Sequence, residues 1–111
     1  MGWQRLCSAQ EVASGKLTGV EIQGVKVLVT RVADQFVAFP PLCPHMAEPL
    51  EISGVCAEGM LTCTKHIWQW DLQSGEPRGE AEKQLLYYPV RLQDGDVWID
   101  FDRELTYDYD D

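Results

Sequence analysis

Short runs of apolar and β-branched residues recur along the chain, and turn residues separate them. In the first half of the chain the predicted strands are residues 3–6, 17–22, 25–32 and 36–39. The run 25–32 is dense in Val and Thr, which favours a strand, and the dipeptide Gln23-Gly24 before it predicts a turn. Ser8 and Glu11 match a capping box, so we expect one helical turn after the first strand.

The second half of the chain continues the same pattern, with strands predicted at residues 60–62, 67–71, 85–92 and 97–101. Asp94-Gly95 is a strong hairpin signal between the last two of these strands. Residues 53–59 contain two glycines and are expected to be a connection, and residues 76–83 are polar and expected to be irregular. The pattern predicts an all-β fold of antiparallel strands, with residues 1–111 forming a single domain.

The charge of the chain limits its partners. A formal net charge of −9 argues against nucleic acid, because phosphate binding needs clustered Lys and Arg. An acidic surface suits a basic patch on a protein partner, although it can also serve solubility alone. Residues 102–111 hold a dense group of acids and predict a solvated acidic tail, with a docking role as the alternative.

No part of the sequence predicts membrane association. No run approaches the roughly 18 apolar residues that a membrane span needs. The first residues lack the charged and apolar regions of a secretory signal, so we expect a cytoplasmic protein.

The candidate chemistry lies in two short stretches, Cys43-Pro44-His45 and Cys63-Thr64-Lys65-His66. Each supplies one thiol and one imidazole, and they contain both histidines of the chain. A Rieske [2Fe–2S] centre needs two Cys on one iron and two His on the other. Zinc sites usually pair ligands of one residue type, as in C-x2–4-C, so mixed pairs favour the iron–sulfur interpretation. A zinc-binding interaction module is the non-redox alternative.

On these two motifs the chain resembles the small Rieske ferredoxins, and the resemblance extends over nearly its whole length. It implies a small antiparallel β-sandwich or barrel with a cluster-binding subdomain, made of two loops, at about residues 40–80. It also implies that Cys43 and Cys63 hold one iron of a [2Fe–2S] cluster, while His45 and His66 hold the other. Rieske loops commonly carry a Leu where Leu50 stands, packed beneath the first loop.

Departures from the broad family pattern narrow the class. Glu48 and Lys65 stand where high-potential respiratory Rieske proteins carry a loop disulfide, so that class is not expected. Dioxygenase-type ferredoxins usually have Gly directly after the last His, whereas this chain has Ile67 and then Trp68. An apolar residue followed by Trp resembles the ferredoxins of toluene monooxygenases.

This closer resemblance implies a one-electron carrier rather than an enzyme. It implies electrons from an NADH-dependent flavin/iron–sulfur reductase and delivery to the diiron hydroxylase of a toluene or o-xylene monooxygenase. The alternative is the ferredoxin of a ring-hydroxylating dioxygenase. We expect a monomer that binds its two partners in turn.

Several further residues are candidates for supporting or docking roles near the ligands. Glu48 and Glu51 follow His45 closely and are predicted to form an acidic docking rim. Trp68 is interpreted either as core packing or as a residue against the cluster loop. Rieske proteins often have a third, proline-containing loop over the cluster, and Pro77 is the candidate for it.

The two other cysteines, Cys7 and Cys56, lie outside both motifs. They are expected to be reduced, buried thiols without a role in the cluster.

Overall fold

The computed structural model describes residues 2–44, 47–65, 67–79 and 81–107. Within these ranges the strands are β1 Trp3–Ser8, β2 Thr18–Ile22, β3 Val25–Val32, β4 Gln35–Phe39, β5 Gly54–Ala57, β6 Met60–Cys63, β7 Trp68–Asp71, β8 Pro77–Arg78, β9 Val90–Gln93 and β10 Asp96–Asp100. A 3-10 turn spans Ala9–Glu11, and a single short helix, α1, spans Leu50–Ser53. None of the helical segments in these ranges has the length and apolar character needed to cross a membrane.

The strands form three antiparallel sheets, in the orders β1-β10-β9, β2-β3-β4 and β5-β6-β7-β8. Most pairs are sequence neighbours joined by short hairpins, and β1 closes against β10 from the other end of the chain. The prediction of an all-β antiparallel fold is confirmed. The single helical turn after β1 is also confirmed, as the 3-10 turn Ala9–Glu11. The Ser8 hydroxyl is its N-cap, but it accepts from the Gln10 N–H and not from Glu11 as in a capping box.

Strand β3 lies between two hydrophobic cores, which explains its unbroken apolar run Val27–Val29. Successive side chains of a strand point to opposite faces. Leu28 and Val32 belong to the first core, which it shares with strands β6 and β7, whereas Val27 and Val29 belong to the second core, shared with β1 and β10. All four are buried, so both faces of β3 exclude water. The third sheet therefore packs against the opposite side of the β2-β3-β4 sheet from the β1-β10-β9 sheet.

Three sequence predictions were wrong in detail. The stretch predicted as a connection at 53–59 contains strand β5, which pairs with β6 from Gly54 opposite Cys63 to Ala57 opposite Met60. The stretch predicted as irregular at 76–83 contains the two-residue strand β8. The strand predicted at 85–92 begins only at Val90, because Pro89 has no N–H to donate to a ladder.

The C-terminal segment is attached to the fold as far as Tyr107. The Leu105 N–H donates to the Tyr88 hydroxyl at 2.9 Å, and the Leu86 N–H donates to the Tyr107 hydroxyl at 3.1 Å. Residues 102–104 are exposed, so the predicted solvated tail is anchored to the fold at Leu105 and Tyr107. Residues 108–111 lie outside the described ranges.

Candidate iron–sulfur site

The first ligand loop, residues 40–49, follows β4 directly and folds back on itself. Its ends are joined by two backbone hydrogen bonds, from Cys43 N–H to the Glu48 carbonyl at 3.0 Å and from Leu50 N–H to the Pro41 carbonyl at 2.8 Å. The Cys43 side chain is completely buried. Pro41 and Pro44 fix their own φ angles, which limits the conformations of this loop. The predicted ligand His45 lies outside the described residues.

The second ligand loop, residues 64–67, joins β6 to β7. Cys63 is the last residue of β6 and is completely buried, and it lies opposite Gly54 on one side and Trp68 on the other. The Ile67 N–H donates to the Cys63 carbonyl at 2.8 Å, which closes the reversal. The predicted ligand His66 lies outside the described residues.

Ser53 ties the two ligand loops together. Its hydroxyl donates to the Glu48 carboxylate of the first loop at 2.5 Å. Its carbonyl accepts two hydrogen bonds from Thr64 of the second loop, from the N–H and from the hydroxyl, each at 2.8 Å. Ser53 is itself buried, whereas Glu48 is half-buried and Thr64 is exposed, so these bonds are partly shielded from water. The arrangement restricts movement of one loop relative to the other.

Large apolar side chains pack with both thiols in the first core. Leu50, Trp68 and Trp70 belong to the first core together with Cys43 and Cys63. The rings of Trp68 and Trp70 meet edge to face, with centroids 6.1 Å apart, and the Trp70 indole N–H donates to the Lys83 carbonyl at 2.7 Å. Trp68 is only 8% exposed and packs in the first core with Cys43 and Cys63. Leu50 is buried as expected for the residue beneath the first loop.

The other predicted supporting residues have partners within the chain. Glu48 accepts the Ser53 hydrogen bond, and Glu51 forms an ion pair with Lys26 at 2.8 Å. Pro77 lies in β8, where it pairs with Trp70 at the edge of the third sheet. The docking roles of Glu48, Glu51 and Trp68, and a covering role for Pro77, remain predictions.

The described donor set fits a thiolate-held iron centre. Cys43 and Cys63 are completely buried, belong to one core, and none of the four cysteines forms a disulfide. Iron–sulfur clusters are held by Cys thiolates. Among the described side chains there is no cluster of three or more potential metal ligands. Both histidines lie outside the described residues and so are not part of that search.

Cys7 and Cys56 are placed differently from the two thiols of the motifs. Cys7 is buried in the second core, as expected, whereas Cys56 on β5 is only half-buried, so the prediction of a buried thiol is wrong for Cys56. Burial raises the pKa of the Cys7 thiol, and it raises the pKa of Cys56 to about 11. Both thiols are therefore protonated near neutral pH, which suits the expected structural role.

Sequence reasoning missed three residues of this site. Ser53 and Thr64 carry the tie between the loops, and the only sequence signal was their small hydroxyl side chains near the ligand motifs. Ile67 was predicted as the first residue of a strand, but it is the last residue of the second loop and has a φ of 59°.

Comparisons with known proteins identify the family of the chain. The family described as the Rieske [2Fe-2S] domain matches residues 2–89. The methanesulfonate monooxygenase ferredoxin subunit of Methylosulfonomonas methylovora is 46% identical over 110 residues, which is 99% of this chain and 89% of that protein. The biphenyl dioxygenase ferredoxin subunit of Pseudomonas sp. (strain KKS102) is 27% identical and covers 93% of this chain and 95% of that protein.

Comparison with solved structures also finds a ferredoxin fold. The solved structure of a Sphingomonas yanoikuyae B1 ferredoxin superposes with a TM-score of 0.78 at 25% identity, covering 87% of this chain and 96% of that one. These relatives are named as ferredoxin components and not as catalytic subunits, so the chain is an electron-transfer component and not an enzyme. The chain belongs to the Rieske [2Fe–2S] domain family and, within it, to the cluster-binding ferredoxins that serve oxygenase systems as electron carriers.

Proposed function

We propose that this chain carries single electrons from an NADH-dependent flavin/iron–sulfur reductase to the terminal oxygenase of a multicomponent monooxygenase. The observation that carries the proposal is the pair of completely buried thiols on two loops that are tied to each other through Ser53. A 46% identical relative, named as the ferredoxin subunit of a monooxygenase, supports the same role over 99% of the chain.

The proposed ligands are Cys43 and Cys63 for one iron, with His45 and His66 for the other. When bound, the [2Fe–2S] cluster supplies one-electron redox chemistry, which no side chain of the protein provides. The buried positions of Cys43 and Cys63 keep water from the sulfur atoms, and the tie through Ser53 holds the two loops in one arrangement. Such fixed geometry lets a site change charge with little reorganisation of the protein.

Two observations favour different oxygenases as the acceptor. The 46% identity to the methanesulfonate monooxygenase ferredoxin subunit supports the oxygenase of a methanesulfonate monooxygenase. The residues after His66, Ile67 and Trp68, support the diiron hydroxylase of a toluene or o-xylene monooxygenase, through the resemblance described above. A ring-hydroxylating dioxygenase is the third candidate, supported by the 27% identical biphenyl dioxygenase ferredoxin.

Reconstitution with purified components tests the proposal. The cluster-loaded ferredoxin and a reductase are combined in turn with each of the three oxygenases, and substrate oxidation is measured against NADH consumed. We expect coupled oxidation with one of the two monooxygenases and a much slower rate with the dioxygenase. Faster delivery to the dioxygenase would favour that runner-up, and delivery to none of the three would contradict the function.

The cellular setting and the assembly state belong to the same proposal. We expect the chain to act in the cytoplasm, where NADH is available to its reductase, and to act as a monomer. A monomer can release one partner before it binds the next, and redox encounters typically use small interfaces. Sedimentation of the cluster-loaded protein at working concentration checks the monomer, and a dimer would contradict it.

A further inference from the structure

Ile67, the residue after His66, has an unusual backbone conformation. Its φ of 59° lies in the left-handed region, where the Cβ of an L-residue crowds the following carbonyl. A β-branched residue is a genuine outlier there. In the described ranges, the other non-glycine residues with positive φ are Gln23, Ala33, Glu58 and Asp94, which lie in the two-residue turns of β-hairpins. Ile67 is the only β-branched residue in this group.

The second ligand loop imposes this conformation on Ile67. Cys63 and Trp68 pair across β6 and β7, so the chain must reverse within residues 64–67. The Ile67 N–H completes the reversal by donating to the Cys63 carbonyl. Glycine adopts positive φ readily. The loop requires a positive φ at this position, and strain arises only because the residue there is isoleucine and not glycine.

Packing inside the protein does not compensate for this strain. The Ile67 side chain is 65% exposed, so most of its surface meets solvent and not the core. Ile52 is also strongly exposed, at 82%, and lies on α1 directly after the first ligand loop. The neighbouring Ser53 carbonyl accepts both Thr64 hydrogen bonds, which ties α1 to the second loop. Two exposed isoleucines therefore flank the two ligand loops.

Single exposed apolar side chains are common. A strained backbone conformation is uncommon, and such strain clusters at functional sites. We propose that Ile67 is an apolar contact through which the chain docks on its terminal oxygenase. This inference rests on the proposed function. An electron leaves where the ligand loops touch the acceptor, and Ile67 follows the proposed ligand His66 directly.

The oxygenase is the favoured occupant because it is the component at which acceptors must be distinguished. The net charge of −9 acts at long range and on any basic partner, so it cannot by itself separate one acceptor from another. A short-range apolar contact can make that distinction through its fit to one surface. The reductase is the other possible occupant, and the experiment below includes it.

Three substitutions separate the side chain from its strain. Ile67→Gly removes both, and Ile67→Asn removes the apolar surface while tolerating the left-handed conformation. Ile67→Leu keeps an apolar contact without β-branching. The matched control is Leu92→Asn, because Leu92 is 53% exposed on β9, in a different sheet from the ligand loops. Each cluster-loaded variant is compared by visible absorption, by thermal unfolding, and by affinity for the oxygenase and the reductase that support turnover with the wild type.

We expect Ile67→Gly and Ile67→Asn to unfold at a temperature roughly 2–6 °C higher, because the strain is removed. Their affinity for the oxygenase should fall by about tenfold, the effect of truncating an important interface residue. Their affinity for the reductase and their visible spectrum should not change. Ile67→Leu should bind the oxygenase within about threefold of the wild type, and Leu92→Asn should bind both partners normally.

Each alternative result overturns a stated part of the inference. Unchanged oxygenase affinity in Ile67→Gly and Ile67→Asn removes the docking role. A loss confined to the reductase, or equal for both partners, removes the assignment to the oxygenase. A lower unfolding temperature removes the strain argument. If the wild type delivers electrons to no oxygenase, the proposed function fails, whereas normal delivery with unaffected variants leaves that function standing and overturns only the role of Ile67.

Discussion

Replacing Ser53 with alanine should loosen the two ligand loops without changing any proposed ligand. The substitution removes the hydroxyl that donates to Glu48 at 2.5 Å, and it leaves the Ser53 carbonyl in place for Thr64. The Glu48 carboxylate, which is half-buried, then loses its donor from this side chain. We expect the first loop to open more often, and the cluster to be lost more quickly through the opening.

The magnitude follows from the kind of bond that is removed. A hydrogen bond to a charged group contributes about 1.5–3 kcal/mol, so we take about 2 kcal/mol for Ser53→Ala. At about 1.4 kcal/mol for each factor of ten, cluster loss should accelerate by about 30-fold if loop opening precedes it. Thr64→Val removes one of two neutral bonds to the Ser53 carbonyl, worth about 1 kcal/mol, and should accelerate loss by about fivefold.

The assay is the decay of visible absorbance of the cluster-loaded protein under nitrogen with an iron chelator. Ser74→Ala is the matched control, because the Ser74 hydroxyl accepts one hydrogen bond, from the Glu76 N–H, in an exposed turn at the far end of β7. Ser53→Ala decaying no faster than Ser74→Ala would refute the argument. A second check combines Ser53→Ala with Glu48→Gln. If the two side chains interact, the double variant should lose its cluster less quickly than the sum of the two single effects predicts.

The remaining predictions concern the cluster and the thiols. Cys43→Ser and Cys63→Ser should each abolish the normal cluster, and analysis of the wild type should give two irons and two sulfides per chain; zinc without sulfide would contradict the ligand set. Replacing Cys7 and Cys56 together with alanine should leave iron content unchanged and cost about 1 kcal/mol for the buried Cys7 and less for the half-buried Cys56. Because burial raises both pKa values, the one at Cys56 to about 11, alkylation of these thiols at pH 8 should be slower than that of an unfolded control and should speed up as pH rises. Without a loop disulfide, and with a net charge of −9 opposing added negative charge, the midpoint potential should lie toward the lower end of roughly −150 to +300 mV; voltammetry giving a value in the upper half would contradict this reasoning.

The strands that could be predicted from sequence are those whose local signals agree. Strand β3 has β-branched residues throughout, and the Gln23-Gly24 turn sets its start. Strand β5 was missed because its four residues begin with a glycine, alternate between half-buried and exposed, and pair with β6 through contacts that the sequence does not show. Helix α1 has only four residues and no side-chain cap, so no helical period could form in the sequence.

The site divides in the same way between local and tertiary information. The spacing within the two motifs is local, so the sequence alone predicted the two thiols that the structure places in one core. The bond from Thr64 to Ser53 joins residues 11 apart, and nothing in the sequence indicates that these two hydroxyl residues meet. Ile67 was assigned to a strand because isoleucine favours strands, but the four-residue reversal between β6 and β7 outweighs that preference.

The internal partners of Glu48 and Glu51 change how the acidic charge of the chain can act on association. Glu48 holds Ser53, so reversing its charge would disturb the ligand loops as well as the surface potential. Glu51 and Lys26 form a half-exposed pair that sums to no net charge, so removing Glu51 also leaves a lysine without this carboxylate beside it. Surface pairs of this kind contribute little to stability, and salt weakens them. Steering by a net charge of −9 needs neither residue in particular, because the field of the whole chain extends over a Debye length of about 8 Å at physiological salt. An ionic-strength effect on electron delivery would therefore support steering by the net charge of the whole chain. Part of that effect can be assigned to Glu48 only with a neutral variant that keeps the hydrogen bond to Ser53.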